Sequence, residues 1–464
     1  MIRRRHGALT LCLLLSACAA PSPPPPPPPQ APAVPLQFKE TGLWQRLEPG
    51  TSPATASPAP ERWWQLFQDP VLDGLQEQLV IGNQNLQSAV AQVAAARAAL
   101  DSGRANQSPT LGAGGAATRS ASGSASAQTS LRLDATAAWE VDLWGRLALA
   151  TRASAARLQA SEDDLAAARL SAQATLLQSY LAMRSAEAQQ ALIARSVQAY
   201  ERSLALTQTR YRAGVVPSTD VLQAQTQLRT AQVQGLESAN QRAQAEHAIA
   251  VLLGQAPAAL TLATTARLPV PPRVPELMPA TLLQRRPDIA AAGQRVAAAQ
   301  ALIGEAEAAF FPSLTLSASA GLRESTLSQL LQAPLRVWSL GPALAQSLVD
   351  GGARRAAVEL ASANAEQATA QYRQTVLGAL QEVEDNLVLA DQLQTQARLQ
   401  REALESAQRS LEITQEQYRV GTVSYLNVVT AQTAALGTER SLLDLQSRQL
   451  SAVNQLLKNV AGRW

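Results

Sequence analysis

Few side chains in this sequence are placed to do chemistry. Carboxylates gather at Glu162, Asp163 and Asp164 and again at Glu382, Glu384 and Asp385. An acid–base pair would need two such groups converging on a cleft. Both groups instead lie among Gln, Arg and Leu in helical stretches, where they read as solvated or interhelical charges. His247 sits in QRAQAEHAIAVLLG, also a helical pattern, and reads as an ordinary helix residue. The Gly-rich stretch 112–123 is not followed by Lys-Ser/Thr, so it is no phosphate loop. The net charge of +3 over 464 residues, with no basic block after Arg5, leaves no footprint for nucleic acid. The expectation is a protein that is not an enzyme, with no metal and no organic cofactor.

The one covalent chemistry in prospect is at Cys18. The chain starts MIRRRHGALTLCLLLSAC, with a basic start, an apolar run of about ten residues and then small residues, the order of a secretory signal too short to span a bilayer. Leu15, Ser16, Ala17 and Cys18 resemble the bacterial lipobox, whose cysteine receives lipid and becomes the mature N-terminus. Cys12 and His6 would leave with the signal. His247 is then the single histidine, no thiol or disulfide remains, and zinc sites built on His and Cys are excluded. The proline run 23–29 favours extended polyproline II, a spacer between lipid and fold, and a second Pro/Ser/Thr/Ala-rich stretch covers 49–60.

These residues must be positioned by a chain that repeats itself. YRAGVVPSTDVLQAQT (211–226) returns as YRVGTVSYLNVVTAQT (418–433), identical at roughly half its positions. Upstream, Asn85, Leu86, Val93 and Pro109 correspond to Asp288, Ile289, Val296 and Pro312. Each half reads as helix, strand pair, very long helix, tight turn, helix. The domains expected are a signal (1–17), a lipidated cysteine with a Pro-rich tether (18–61), a first repeat (62–265) and a second (266–464).

The long helices carry small apolar residues in phase. Val358, Ala361, Ala365, Ala368, Tyr372, Val376, Ala379, Val383, Leu387 and Ala390 recur at steps of three and four. Near the repeated phrase, Val197, Leu204 and Tyr211, with Tyr200 and Thr207, keep a seven-residue period, and Leu404, Ala407, Leu411, Thr414 and Tyr418 copy it. A proline-free stretch of roughly seventy residues would reach on the order of 100 Å as a helix.

Two segments change to period two. Leu131, Leu133, Ala135, Ala137, Trp139, Val141 and Leu143 alternate with polar or small residues, as do Leu314, Leu316, Ala318, Ala320 and Leu322. Ten-residue strands with one apolar face suit a transmembrane barrel, and a half-buried strand of a soluble sheet would look alike. Their partners are less distinct, 110–119 being Gly-rich and 335–347 containing Pro342. Four strands cannot close a barrel in lipid, so several chains would have to share one.

Each repeated phrase lies between two helices. Gly214 and Gly421 permit a left-handed helix end, Ser218 and Thr219 can cap the next helix, and Pro217 fits its start. With DLWGR at 142–146, RRPDI at 285–289, FFPSL at 310–314, DGGAR at 350–354 and the two tips, the sequence from about Trp63 to Trp464 resembles the outer membrane factor (TolC-like) family, in its lipoprotein branch. The resemblance implies a mainly α fold with a β-barrel portion. Long helical hairpins form a periplasmic tunnel, and four strands per chain enter a trimeric twelve-stranded outer membrane barrel.

The resemblance also implies a function and its partners. The protein would be the exit duct of a tripartite efflux or type I secretion system, a passive conduit in the bacterial outer membrane. Its partners would be two further copies of itself, a periplasmic adaptor, an inner membrane transporter and outer membrane lipid. Adaptors would dock on Gly214, Val215, Gly421 and Thr422. The periplasmic gate would involve Asp220 and Tyr418, expected to hydrogen-bond to each other, with Asn427 and Thr430 where relatives often carry an acidic ring. The rival reading is a lipid-anchored periplasmic coiled-coil scaffold or adaptor without a channel, which would need one hairpin flanked by β-rich modules.

Overall fold

The computed structural model describes residues 35–45, 62–123, 126–274, 279, 285–332 and 337–460. The signal, Cys18 and the proline stretches 23–29 and 49–60 lie outside the described residues. The first half runs α1 (Pro70–Gly82), α2 (Gln84–Ala105), β1 (Thr110–Ser120), β2 (Gln128–Val141), α3 (Arg146–Arg212) and α4 (Ser218–Leu252). The second runs α5 (Pro287–Ala308), β3 (Ser313–Glu324), the short α6 (Leu327–Gln332), β4 (Val337–Ala345), α7 (Ala353–Val420) and α8 (Tyr425–Val460). The order matches the expected one, with α1 and α6 as additions. Asn83 separates α1 from α2: its side chain accepts from the Leu86 N–H at 3.0 Å and donates to the Leu252 carbonyl at 2.7 Å. Two compact units cut across the halves, one comprising 91–163 with 291–375, the other 32–90, 164–290 and 376–464.

In the first unit the four strands form one antiparallel sheet in the order β1-β2-β3-β4. Its register gathers the alternating residues of all four strands onto two faces. Leu111, Ala137, Ala318 and Leu340 lie in one row, and Ala113, Ala135, Ala320 and Trp338 in the next on the same face. The opposite face carries Gly112, Thr136, Ser319 and Ser339, with the two serine hydroxyls 2.9 Å apart. Leu111, Trp338, Leu340 and Leu344 are each at least 69% exposed, an apolar band that water would not tolerate and a bilayer would. Pro342, lacking an N–H, lies in β4, the outermost strand of the chain's own sheet.

The family-like strings turn out to be corners. After β2, Gly145 adopts φ +75° and the Asp142 carboxylate accepts from the first N–H groups of α3, at 3.2 Å from Leu147 and 2.7 Å from Ala148. After β4, Gly351 and Gly352 turn with positive φ, and Asp350 accepts from the Gly352 and Arg354 N–H groups. A carboxylate on orphan N–H donors at a helix start satisfies them and the helix dipole together. Between α5 and β3, Phe311 stacks on Trp144 with centroids 4.8 Å apart, and the Trp144 indole donates to the Pro312 carbonyl at 2.7 Å.

The second unit holds the main apolar core. Trp63, Leu72, Leu75 and Leu79 pack with Leu176, Leu177, Leu181 and Met183 of α3, Val383, Leu387 and Leu393 of α7, and Leu456 and Leu457 of α8. A buried ion network closes it: Arg184 pairs with Glu187 at 2.8 Å, and Arg242 pairs with Glu187 at 3.0 Å and with Glu246 at 3.0 Å. The Glu246 and Glu187 carboxylates also accept from the Leu262 and Thr265 N–H groups, which fastens the connection after α4. Arg286 of the RRPDI string clamps Asp288, Glu382 and Asn459 at 2.7 to 2.9 Å.

The carboxylate clusters read as structural are paired. Glu162 faces Arg97 at 3.6 Å, Glu382 faces Arg286 and Lys458, Glu384 accepts from the Lys39 and Glu40 N–H groups, and Asp385 accepts from Gln381. His247 is exposed on α4. Among the described residues no group of three His, Cys, Asp or Glu side chains could hold a metal, and no helix is long and apolar enough to cross a membrane.

Candidate functional site at the hairpin tips

Both hairpin tips lie in the second unit and are built alike. Gly214 at φ +72° and Gly421 at φ +86° end α3 and α7. In each, the glycine N–H donates to the carbonyl three residues back, Tyr211 or Tyr418. The next N–H reaches five back, from Val215 to Arg210 and from Thr422 to Gln417. This is the Schellman closure, which the left-handed glycine makes possible. The Thr422 hydroxyl adds a second bond to the Gln417 carbonyl at 3.0 Å. Gly214, Val215, Gly421 and Thr422 are all exposed at the turns, Val215 to 61%.

The helix that follows starts differently from the expectation. Pro217 is the N-cap of α4, and no side chain caps it, so Ser218 and Thr219 lie in the first turn and do not cap. The turn is entered by an extended proline that supplies no side-chain acceptor. Asp220 also lies in that first turn. Burial pushes its carboxyl above the ordinary range, and the Arg210 charge opposes the shift.

The tyrosines of the repeat have diverged in environment. Tyr211 is 49% exposed, whereas Tyr418 is 5% exposed. Tyr418 packs with Tyr425, Ala224 and Val428, the two rings 5.4 Å apart and tilted. Tyr425 Oη lies 3.1 Å from Ser203 Oγ, and burial pushes the Tyr425 phenol up despite that bond. Arg210 spans the two hairpins. Its guanidinium lies 4.6 Å from the centre of the Tyr418 ring and donates to the Tyr418 carbonyl at 2.7 Å.

The expected hydrogen bond between Asp220 and Tyr418 is not formed within the chain. Tyr418 Oη is buried with no hydrogen-bond partner among the described residues. The ring is held from its face by Arg210 and from its side by Tyr425, so the contact between hairpins runs through the ring and the carbonyl instead of the hydroxyl. Sequence reading missed Arg210. The available signal was the asymmetry just before the repeated phrase, where Arg210 stands opposite Gln417. Asn427 and Thr430 are exposed on one face of α8, and the Thr430 hydroxyl bonds back to the Leu426 carbonyl at 2.9 Å.

A family model described as outer membrane efflux protein matches this chain twice, over residues 75–255 and 278–462. The pyoverdine export outer membrane protein OpmQ of Pseudomonas aeruginosa is 31% identical over 472 residues, covering 98% of this chain and 96% of that one. The toluene efflux pump outer membrane protein TtgF of Pseudomonas putida is 30% identical over 446 residues, covering 94% and 93%. Among solved structures, the outer membrane channel OprN superposes with a TM-score of 0.86 at 29% identity, covering 94% of this chain and 98% of that one. The outer membrane protein VceC of Vibrio cholerae superposes with a TM-score of 0.80 at 27% identity, covering 88% and 99%. With both halves matched and nearly the whole length aligned, the chain belongs to the outer membrane efflux protein family and is an outer membrane channel with a long periplasmic helical portion.

Proposed function

We propose that three copies of this chain close one twelve-stranded barrel and that the resulting duct is the outer membrane exit of a tripartite efflux system. The observation that carries this reading is the four-stranded sheet, one face of which is apolar from the row of Val141, Leu314 and Leu344 to the row of Gly115, Leu133 and Leu322. Open strand edges are not tolerated in lipid, and four strands are too few to close on themselves. A periplasmic scaffold would have no use for that face.

In this reading a periplasmic adaptor docks around Gly214, Val215, Gly421 and Thr422, and an inner membrane transporter supplies the energy. Asp220, Tyr418, Asn427 and Thr430 belong to the periplasmic gate. The buried Tyr418 hydroxyl, without a partner among the described residues, supports a conformation that changes on opening, because an unsatisfied buried donor costs about 1 to 3 kcal/mol. The cargo is small organic molecules, in keeping with the toluene and pyoverdine of the relatives' names. Lipid on Cys18 adds a second hold on the membrane.

The test is insertion of the detergent-purified protein into planar bilayers. Stepwise current increments of uniform size support the duct. Protein that leaves the membrane without detergent once Cys18 is replaced by serine, and never conducts, supports the scaffold instead.

A further inference from the structure

The polar face of the sheet carries an arrangement that costs stability and gives none back. Arg132 of β2 and Arg323 of β3 are direct cross-strand partners. Like charges placed opposite each other in a sheet repel. Asp134 answers only one of them: its carboxylate lies 2.9 Å from Arg132 Nε and 3.3 Å from Arg132 Nη2. Arg323 is exposed and makes no ion pair or hydrogen bond among the described residues.

The surroundings keep this charge clear. In the row beside the arginines, Asp134 stands between Gly114 and Gly321. A Cβ at Gly321 would meet the Asp134 Cβ at 2.9 Å, so the carboxylate needs the glycine beside it. Across from Arg132 on β1 is Ala116, and the same face continues as Thr136, Ser319 and Ser339. The remaining charge on the face, Glu140, is neutralised by Arg146 at 2.8 Å. Among the described residues the uncompensated charge of the face is therefore Arg323, at the end of the sheet where β3 leads into the short α6.

We propose that Arg323, beside the Asp134-neutralised Arg132, makes the outer part of the barrel lumen select for anions. This rests on the channel reading above, because the polar face of a membrane barrel is its interior. In a trimer three such charges face one lumen. A lumen potential of about one kT enriches anions e-fold and depletes cations e-fold, a preference of about sevenfold.

The experiment is the reversal potential of the full-length protein in planar bilayers under a KCl gradient, at roughly 0.1 M salt where the Debye length is about 10 Å. The wild type is expected to pass chloride in preference to potassium. Arg323→Gln should lower that ratio by about twofold or more, and Asp134→Asn, which frees Arg132, should raise it. Shifts of opposite sign in the two variants support the proposal. Pores of normal conductance whose ratio is the same in all three proteins overturn it while leaving the channel reading intact. Absence of pores from the wild type removes the channel reading, and this inference with it.

Discussion

Arg210 of the first hairpin and Tyr418 of the second are joined twice, by the guanidinium over the ring at 4.6 Å and by a 2.7 Å hydrogen bond to the Tyr418 carbonyl. That carbonyl also accepts from the Gly421 N–H, so Arg210 adds a positive charge at the carbonyl end of the neighbouring helix, where the dipole is negative. A cation–π contact is worth about 0.5 to 2 kcal/mol and a charged hydrogen bond about 1.5 to 3 kcal/mol. Arg210→Ala should therefore loosen the tip and raise single-channel conductance or leak of large antibiotics. Arg210→Lys should recover only part of the loss, because an ammonium lacks the planar fork. Equal conductance in all three proteins would show that the clamp does not hold the tip.

Two tyrosine-to-phenylalanine changes should behave differently. Tyr425→Phe removes the bond with Ser203 and should cost about 1 kcal/mol of stability. Tyr418→Phe removes a buried hydroxyl that has no partner among the described residues, so thermal unfolding should be delayed. A loss on Tyr418→Phe as large as that on Tyr425→Phe would mean that the Tyr418 hydroxyl finds a partner in the assembled protein.

Opposite pH responses are expected from two carboxylates. Burial alone would push Glu246 up, but the Leu262 N–H and Arg242 outweigh it and hold the carboxyl below its ordinary range. Its stabilisation is present above the unfolded value of about 4.3 and is lost as pH falls through the lower folded value. Glu246→Gln should therefore lower the unfolding temperature at neutral pH and make progressively less difference in acid below that value. Asp220, raised by burial, has the reverse sign: protonation favours the fold, and its contribution is lost as pH rises through the folded value. Asp220→Asn should leave stability unchanged or raise it at neutral pH, with the gap closing in acid. Thermal scans across pH read both.

Much of the architecture was legible because it is periodic. The seven-residue spacing of Leu404, Leu411 and Tyr418, and the two-residue spacing of Leu131 to Val141, each fix which face turns inward or toward lipid, and the paired repeat located both turns. The pairing partners were fainter because Gly112, Gly114 and Gly115 of β1 carry no side chain to alternate. The tip was less legible. Tyr211 and Tyr418 look equivalent in sequence, and only packing against Tyr425 buries one of them. Arg210 acts across more than 200 positions of sequence, a separation at which local pattern says nothing.

The junction between α1 and the end of α4 should tolerate no side chain. Gly82 and Gly254 approach so closely that a Cβ on either would collide with the backbone carbonyl of the facing segment, and Gly254 has φ +71° besides. Gly254→Ala is expected to cost more than about 2 kcal/mol, from clash and left-handed strain together. Gly214→Ala, with open space around it, should cost only about 1 kcal/mol of left-handed strain. Comparing their unfolding temperatures separates close approach from backbone conformation.

Four strands per chain become a closed barrel only by sharing among chains. The most direct measurement of this sharing is the protein mass of the detergent-extracted particle, by native mass spectrometry or by light scattering corrected for bound detergent. Three chains are expected. A single chain that still conducts ions in bilayers, or an assembly of two or four, would contradict this expectation.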